Sequence, residues 1–391
     1  MFLQVQLYSA IALTLLYAYF FVLYLKHWKA LPIYEMAIQS GRNTEGGYQP
    51  HTFVSILIPV RDEKDTIIPC LHSILSGSYP SHLYEIIVID DHSTDNTGQL
   101  VRALNLPNIH IIELKNHVQV IKNQPFKKKA IALAIEQAKG KLIVTTDGDC
   151  LVPKDWLTYI ASFYETKGKR FIAAPVCFHE EGSFFEKFQS LDYIGMMGIT
   201  GAGVQGRFTH MCNGANLAYE KKLFYEVGGF QDIDHVASGD DVLLMQKVAK
   251  LYPDALGYLK NPEATVFTKA KPTIKDFVYQ RLRWASKSSS YTEFFTIFQL
   301  TCVFLFCLNI LINICLSIFY TIPFAYIVVF QVGIKYLMDY IFLHTMTRFF
   351  KRSDLMQIFV KAQIFHVLYI VGVGFLSNIK KTYVWKGRVT K

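Results

Sequence analysis

The cysteines of this chain lack metal or disulfide spacing. There are seven, none in a CxxC pair, and Cys302, Cys307 and Cys315 fall in an apolar run. Neither a zinc site nor a disulfide framework is indicated, and reduced structural thiols are expected. Phosphate-binding glycine loops are missing too. There is no GKS or GKT, and no glycine-rich loop comes after a predicted strand, so a P-loop or dinucleotide reading has little support. Charge is absent from two long stretches, residues 1–25 and residues 294–334. With a mean hydropathy of +0.23, these gaps point to a membrane protein.

The first charges after residues 1–25 are Lys26 and Lys29. A secretory signal would carry positive charge before its apolar run and small residues after it. This segment has neither and reads as an uncleaved anchor. Its basic flank predicts a cytosolic location for the region immediately C-terminal to it. The second uncharged stretch, at ~1.5 Å per residue, is about twice the length of a bilayer core. Pro323 near its middle marks a turn or kink. Two spans are predicted there, the second ending near Leu343. A third candidate covers residues 362–379, interrupted only by His366, read as a residue near a bundle interior. The basic loop of Arg348, Lys351 and Arg352 and the basic tail of Lys380, Lys381, Arg388 and Lys391 both favour the cytosol. They cannot both lie there if residues 362–379 cross, so either that segment is re-entrant or interfacial, or the tail breaks the charge rule. The expected organisation is an anchor over 1–25, a linker over 26–50, a cytosolic catalytic domain over 51–292, and a membrane region over 293–391 with two or three helices. The net charge of +9 fits this asymmetry and an anionic substrate better than nucleic acid.

Between the apolar ends, strand and helix signals alternate. FVSILIPV (53–60), YEIIVIDD (84–91), HIIELK (110–115) and KLIVTTDGD (141–149) read as strands. Helix patterns cover about 65–76, 97–105 and 126–139. Unbroken apolar strands separated by helices predict an α/β fold with a parallel sheet covered on both faces. In such sheets ligands bind at the carboxyl ends of the strands. Pro59, Arg61, Asp62 and Glu63 lie at the end of the first strand, Asp90 and Asp91 end the second, and Asp147 and Asp149 end the fourth.

Carboxylates gathered at one sheet edge repel one another unless a cation joins them. Asp147 and Asp149, one residue apart, offer hard oxygen ligands suited to Mg²⁺ or Mn²⁺, which bind one or two carboxylates plus substrate phosphates. The plain alternative is a solvated turn. Asp240 and Asp241 open a helix pattern, where they either cap the helix or serve as general base to an acceptor hydroxyl. QRLRW (280–284) is either an interfacial Arg and Trp belt or a set of pyrophosphate and sugar contacts.

Taken in order, these segments resemble glycosyltransferase family 2, the inverting enzymes with a GT-A fold. The resemblance covers roughly residues 53–290: VSILIPVRDE, VIDDHSTDNT, KKKAIALAIEQAKG, TTDGDC, CNGANLAY with EVGGF, SGDD and QRLRWA. It implies a doubly wound, mainly parallel sheet plus transmembrane helices. It implies a nucleotide-sugar donor, with uridine the family's usual base, and a lipid or glycan acceptor. Pro59, Glu63 and Asp91, with Arg61 nearby, would serve the nucleoside, and Lys129 the donor phosphates. Asp147 would touch the donor and Asp149 the metal. Asn213, Gly214 and Asn216 would shape the acceptor side. Asp241, or its neighbour Asp240, would be the base. Gln280, Arg283 and Trp284 would hold pyrophosphate and acceptor. The first motif reads RDE where the family often has Asn before Glu, and GDD stands where Glu-Asp is common. The expected location is the plasma membrane. Alternatives are a processive synthase of the cellulose, chitin or hyaluronan type, a nucleotidyltransferase, and a non-catalytic scaffold.

Overall fold

The computed structural model describes residues 2–36, 48–117, 126–236, 238–320, 322–379, 383–385 and 388–390. In chain order the helices and strands are α1 (Phe2–Ala30), β1 (Val54–Val60), α2 (Ile67–Leu75), β2 (Tyr84–Asp90), α3 (Thr97–Ala103), β3 (Ile109–Glu113), α4 (Phe126–Gln137) and β4 (Leu142–Thr145). Then come α5 (Trp156–Lys167), β5 (Phe171–Ala173), β6 (Val176–His179), α6 (Phe184–Gly206), β7 (Leu217–Glu220), α7 (Lys221–Glu226), α8 (Val242–Leu251), β8 (Leu256–Tyr258) and β9 (Val266–Lys269). The last are α9 (Ile274–Ser286), α10 (Phe294–Tyr320), α11 (Ile322–Phe349), α12 (Phe359–Ile379) and the hairpin β10 (Tyr383–Trp385) and β11 (Arg388–Thr390). The predicted strands and helices up to β4 lie where the apolar runs placed them. Lys380, Lys381 and Lys391 of the basic tail and much of the 26–50 linker lie outside the described residues.

Two compact units interleave along the chain. One comprises residues 32–180, 210–269 and 382–391, and the other residues 1–31, 181–209 and 270–381. The first is built on a seven-stranded sheet in the order β3-β2-β1-β4-β7-β5-β8. Strands β3, β2, β1 and β4 run parallel. The parallel pattern of the apolar runs holds through β4, and the sheet is mainly parallel as the resemblance implies, with β7 the exception, antiparallel to both β4 and β5. A short 3-10 turn at Gly214–Asn216, after α6, leads into β7. Both sheet faces are covered. Ile56, Leu57 and Ile58 point alternately to opposite sides, and all three are fully buried. Burial of such a run is the main source of stability here, about 1.5–3 kcal/mol per large apolar side chain.

The second unit contains α1, α6 and α9 to α12. Among the described residues, four helical segments are long and apolar enough to cross a membrane: Leu3–Ala30, Phe294–Tyr320, Ile322–Phe349 and Ser353–Ile379. The break predicted near Pro323 falls just before it, since Pro323 sits in the first turn of α11, where its missing N–H costs nothing. Helix α1 buries Ala10, Thr14, Tyr17, Phe20, Tyr24 and Trp28 at three- and four-residue spacing. Helix α6 approaches α11 closely at Gly198, where an added Cβ would lie 2.2 Å from the Met346 sulfur. The run GAGVQG (201–206), which has dinucleotide-type glycine spacing, lies inside α6 and not in a strand-to-helix turn.

Polar side chains cross the interior of this helical unit. Lys335 Nζ lies 2.5 Å from Asp339 Oδ2 and 2.5 Å from Gln363 Oε1, and Tyr17 donates to Asp339 Oδ1 at 2.5 Å. Gln6 donates to Asn313, which donates to Gln331, which donates to Asn309. Such pairs join neighbouring helices through side chains that are largely buried.

Candidate active site

The carboxyl ends of β1 and β2 are laced together. Arg61 donates from Nη1 to the Asp91 carbonyl at 2.8 Å, the Asp62 amide donates to Ser93 Oγ, and the Glu63 amide donates to Thr97 Oγ1 at 2.9 Å. Asp62 takes a left-handed backbone (φ 51°) to make this turn. Its carboxylate accepts from the Thr94 amide. Asp90 and Asp91 are buried. Asp90 accepts from the Ser93 amide, and Asp91 Oδ1 stands 2.9 Å from His92 Nδ1. Pro59 lies in register with Ile89 inside the sheet. Pro59, Arg61, Glu63 and Asp91 are thus brought together in one loop pair, with Arg61 acting through backbone carbonyls.

After β4 the chain turns through Asp147, Gly148 and Asp149. Gly148 is required sterically, since a Cβ there would lie 2.7 Å from Val60 Cγ1 and 3.4 Å from Glu63 Cγ. The acidic pair is therefore set directly against the end of β1. The turn closes with the Cys150 amide on the Asp147 carbonyl, and Leu151 is bridged to Phe267 of β9. One donor atom each from Asp147, Asp149 and Cys150 lies within 4.8 Å of the others. Burial, and then the neighbouring Asp149 and Asp147 carboxylates, push the Cys150 thiol well above its ordinary range. The two carboxylates are the hard oxygen donors of the group, and so the ones that suit a hard divalent cation.

The segment CNGAN ties this edge to SGDD. Thr145 donates to the Gly214 carbonyl at 2.6 Å, and the Gly214 amide donates to Asp241 Oδ2 at 3.1 Å. Asp241 also accepts from the Val242 amide at 2.7 Å, so it caps α8. Asp240 faces elsewhere. Its Oδ2 lies 3.3 Å from Lys127 Nζ, and the same ammonium lies 3.4 Å from Asp147 Oδ1. Lys127 thus joins the two acidic motifs. Sequence reasoning points to Lys129 instead, and that side chain is exposed. The residue between them, Lys128, is buried and donates to the carbonyls of Ile233 and Val236, fixing the loop that precedes SGDD. Asn213 caps its own turn through the Ala215 amide. Asn216 is fully buried and saturated by Trp156, Pro175 and Ala264, so it supports the wall of the site from behind.

The QRLRW residues lie on α9, in the helical unit. Their surroundings there centre on Arg281, which sequence reasoning does not single out. Arg281 Nη2 donates to Asp192 at 2.8 Å, and its guanidinium lies 4.2 Å from the Trp284 ring centre and 4.7 Å from that of Phe277. Tyr369 donates to the other Asp192 oxygen, His366 stands 3.9 Å from it, and Trp284 stacks on Tyr193. Gln280 and Arg283 are half-buried on the same helix.

Two sequence profiles match. The one described as glycosyl transferase family 2 covers residues 55–228, and the one described as glycosyl transferase family group 2 covers residues 142–351, more than half of the chain. Among curated proteins, the glycosyltransferase AglE of Haloferax volcanii is 28% identical over 194 residues, 49% of this chain and 59% of that protein. The poly-beta-1,6-N-acetyl-D-glucosamine synthase of Staphylococcus epidermidis is 25% identical over 237 residues, 59% of this chain and 53% of that one. The chain thus spans between half and three fifths of these relatives. A solved mannosyltransferase from Pyrobaculum calidifontis, in complex with GDP-Man and Mn²⁺, superposes with a TM-score of 0.51 at 16% identity, covering 95% of this chain and 99% of that one. That likeness establishes the GT-A fold.

Proposed function

The chain belongs to glycosyl transferase family group 2 and is a glycosyltransferase, and from that premise we propose that it moves a sugar from a nucleoside diphosphate donor to a lipid or glycan hydroxyl at the cytosolic face of a membrane. The observation that carries this reading is the meeting of two acidic motifs at one sheet edge, Asp147 with Asp149 and Asp240 with Asp241, bridged by Lys127. The catalytic region would span residues 51–292, with the apolar helices holding it at the plasma membrane.

Asp147 and Asp149 would hold Mg²⁺ or Mn²⁺, which when bound supplies charge neutralisation for a leaving diphosphate. Arg61, Pro59, Glu63 and Asp91 would shape the nucleoside pocket, and Gln280, Arg283 and Trp284 the diphosphate and acceptor contacts. Asp241 would take the acceptor hydroxyl proton as that oxygen bonds to the anomeric carbon and the bond to the diphosphate breaks. A single displacement inverts the centre, so an α-linked donor gives a β-product. Asp241 also caps α8, which makes Asn the informative replacement. Asn caps well but is no base. Asp241→Asn is expected to lower turnover about 10²–10⁴-fold with a loss of stability of about 1–3 kcal/mol, since its single carbonyl can serve only one of the Gly214 and Val242 amides. Nucleoside diphosphate release, assayed across uridine and guanosine donors, reads this. Full turnover in Asp241→Asn would overturn the base assignment, and release of pyrophosphate in place of nucleoside diphosphate would point to a nucleotidyltransferase. The polymer-forming alternative draws on QRLRW, which processive synthases share with enzymes that add a single sugar, and on the Staphylococcus relative's name. Product length from labelled donor separates it from single addition.

A further inference from the structure

Three lysines, Lys127, Lys128 and Lys129, occupy the first turn of α4. That is the end of a helix where the dipole disfavours cations. A local rule broken three times over calls for a compensating gain nearby. Lys128 has one in the buried carbonyls of Ile233 and Val236. Lys127 has another. Its ammonium lies 3.4 Å from Asp147 and 3.3 Å from Asp240, with its side chain 20% exposed. Both distances are long for a tight pair, and the four-carbon stem is flexible. The ammonium therefore bridges two carboxylates without being locked to either.

We infer that Lys127 is the resident cation of the acidic site: it holds Asp147 and Asp240 together before a divalent cation arrives, competes with that cation for Asp147, and turns to the donor diphosphate once the cation is seated. The inference rests on reading Asp147 and Asp149 as the cation end of the site. The physical reason is charge. A divalent ion on Asp147 and Asp149 replaces one positive charge with two and repels the ammonium. Asp240, 3.3 Å away, then keeps the ammonium at the site, where the diphosphate drawn in by the seated cation offers it a second acceptor. Lys127 thus weakens cation binding in the empty site and strengthens diphosphate binding in the loaded one, so its removal should move the two affinities in opposite directions.

The test uses the full chain in detergent, with Mn²⁺ binding followed by electron paramagnetic resonance in the absence of donor, and inorganic pyrophosphate as the diphosphate probe at saturating Mn²⁺. Lys127→Met and Lys127→Gln should each bind Mn²⁺ about two- to fivefold more tightly, the span of a partly exposed ion pair. Both should bind pyrophosphate about tenfold more weakly, the loss of a charge-assisted hydrogen bond. Lys127→Arg should restore both affinities towards wild type. Equal or weaker Mn²⁺ binding in the Met and Gln variants overturns the competition, and undiminished pyrophosphate binding overturns the transfer. Asp149→Asn separates this failure from failure of the underlying reading. Loss of Mn²⁺ in Asp149→Asn with no gain in Lys127→Met leaves the metal assignment standing and removes the resident cation. Unchanged Mn²⁺ binding in Asp149→Asn removes the metal assignment and the inference with it.

Discussion

In the helical unit Lys335 meets Asp339 at 2.5 Å, with the two side chains 1% and 5% exposed. In the sheet unit Lys127 stands 3.4 Å from Asp147, whose side chain is 39% exposed. The residue types match, but the surroundings do not. Asp339 has a second donor in Tyr17, and Lys335 a second acceptor in Gln363, so the buried pair leaves little bonding capacity for a ligand. Asp147 and Asp240 share one lysine at long range, and water reaches the carboxylate of Asp147. Pairing that is complete and dry reads as structure, and pairing that is partial and wet reads as a site. Arg281 and Asp192 are as dry, at 4% and 6% exposed and enclosed by aromatic rings, but their pairing is incomplete, because the buried Nε and Nη1 of Arg281 have no hydrogen-bond partner among the described residues. We read Arg281 as a support for the QRLRW helix.

The largest expected effect comes from breaking the dry pair. Lys335→Met leaves Asp339 buried without its cation and should cost about 3–5 kcal/mol, seen as a lower unfolding temperature in detergent. The double change Lys335→Met with Asp339→Leu should recover most of it. A stable single mutant would show that the pair is not structural. Next is the wet site. Asp147→Asn should reduce turnover on the order of 10²–10³-fold while stability stays within about 0.5 kcal/mol. A large loss of stability instead would erase the contrast between the two units. Smaller again is Gly148→Ala, where the added methyl meets Val60. Overpacking of this kind costs about 1–3 kcal/mol and should shift the acidic turn, so activity and stability should fall together.

The smallest effect tests a structural pair inside the sheet unit. Burial pushes the Glu220 carboxyl up, but hydrogen bonds from Tyr164 and Arg170 outweigh it, and the net shift is below the usual carboxylate range. A depressed folded pKa gives stability that is present above the unfolded value, about 4.3 for Glu, and is lost as pH falls through the folded one. Unfolding temperatures of wild type and Glu220→Gln, measured from about pH 6 down to about pH 3, should converge at the acid end. Parallel curves would show that Glu220 contributes no pH dependence.

Much of this was legible in the chain. The strands from β1 to β4 are long apolar runs, and apolar burial on two faces demands that pattern. The helix boundary at Pro323 stems from proline's missing donor. Glycine between Asp147 and Asp149 is visible in the sequence, but its reason, the approach of Val60, is not. The antiparallel β7 escapes a reading by pattern because LAYE is four residues long and enters from a turn with no helix signal. Lys127 cannot be told from Lys129 in the sequence, because three consecutive lysines look alike until the helix phase is known, and a helix rotates by about 100° per residue.

The sequence by itself determined that a sheet domain with acidic strand ends accompanies apolar helices, because hydrophobic periodicity and charge gaps are local properties. Tertiary structure alone decided which acids share a cation, which lysine reaches them, and that Lys335 and Asp339 are spent on each other. Those outcomes depend on distances set by packing and helix phase, and composition does not encode them.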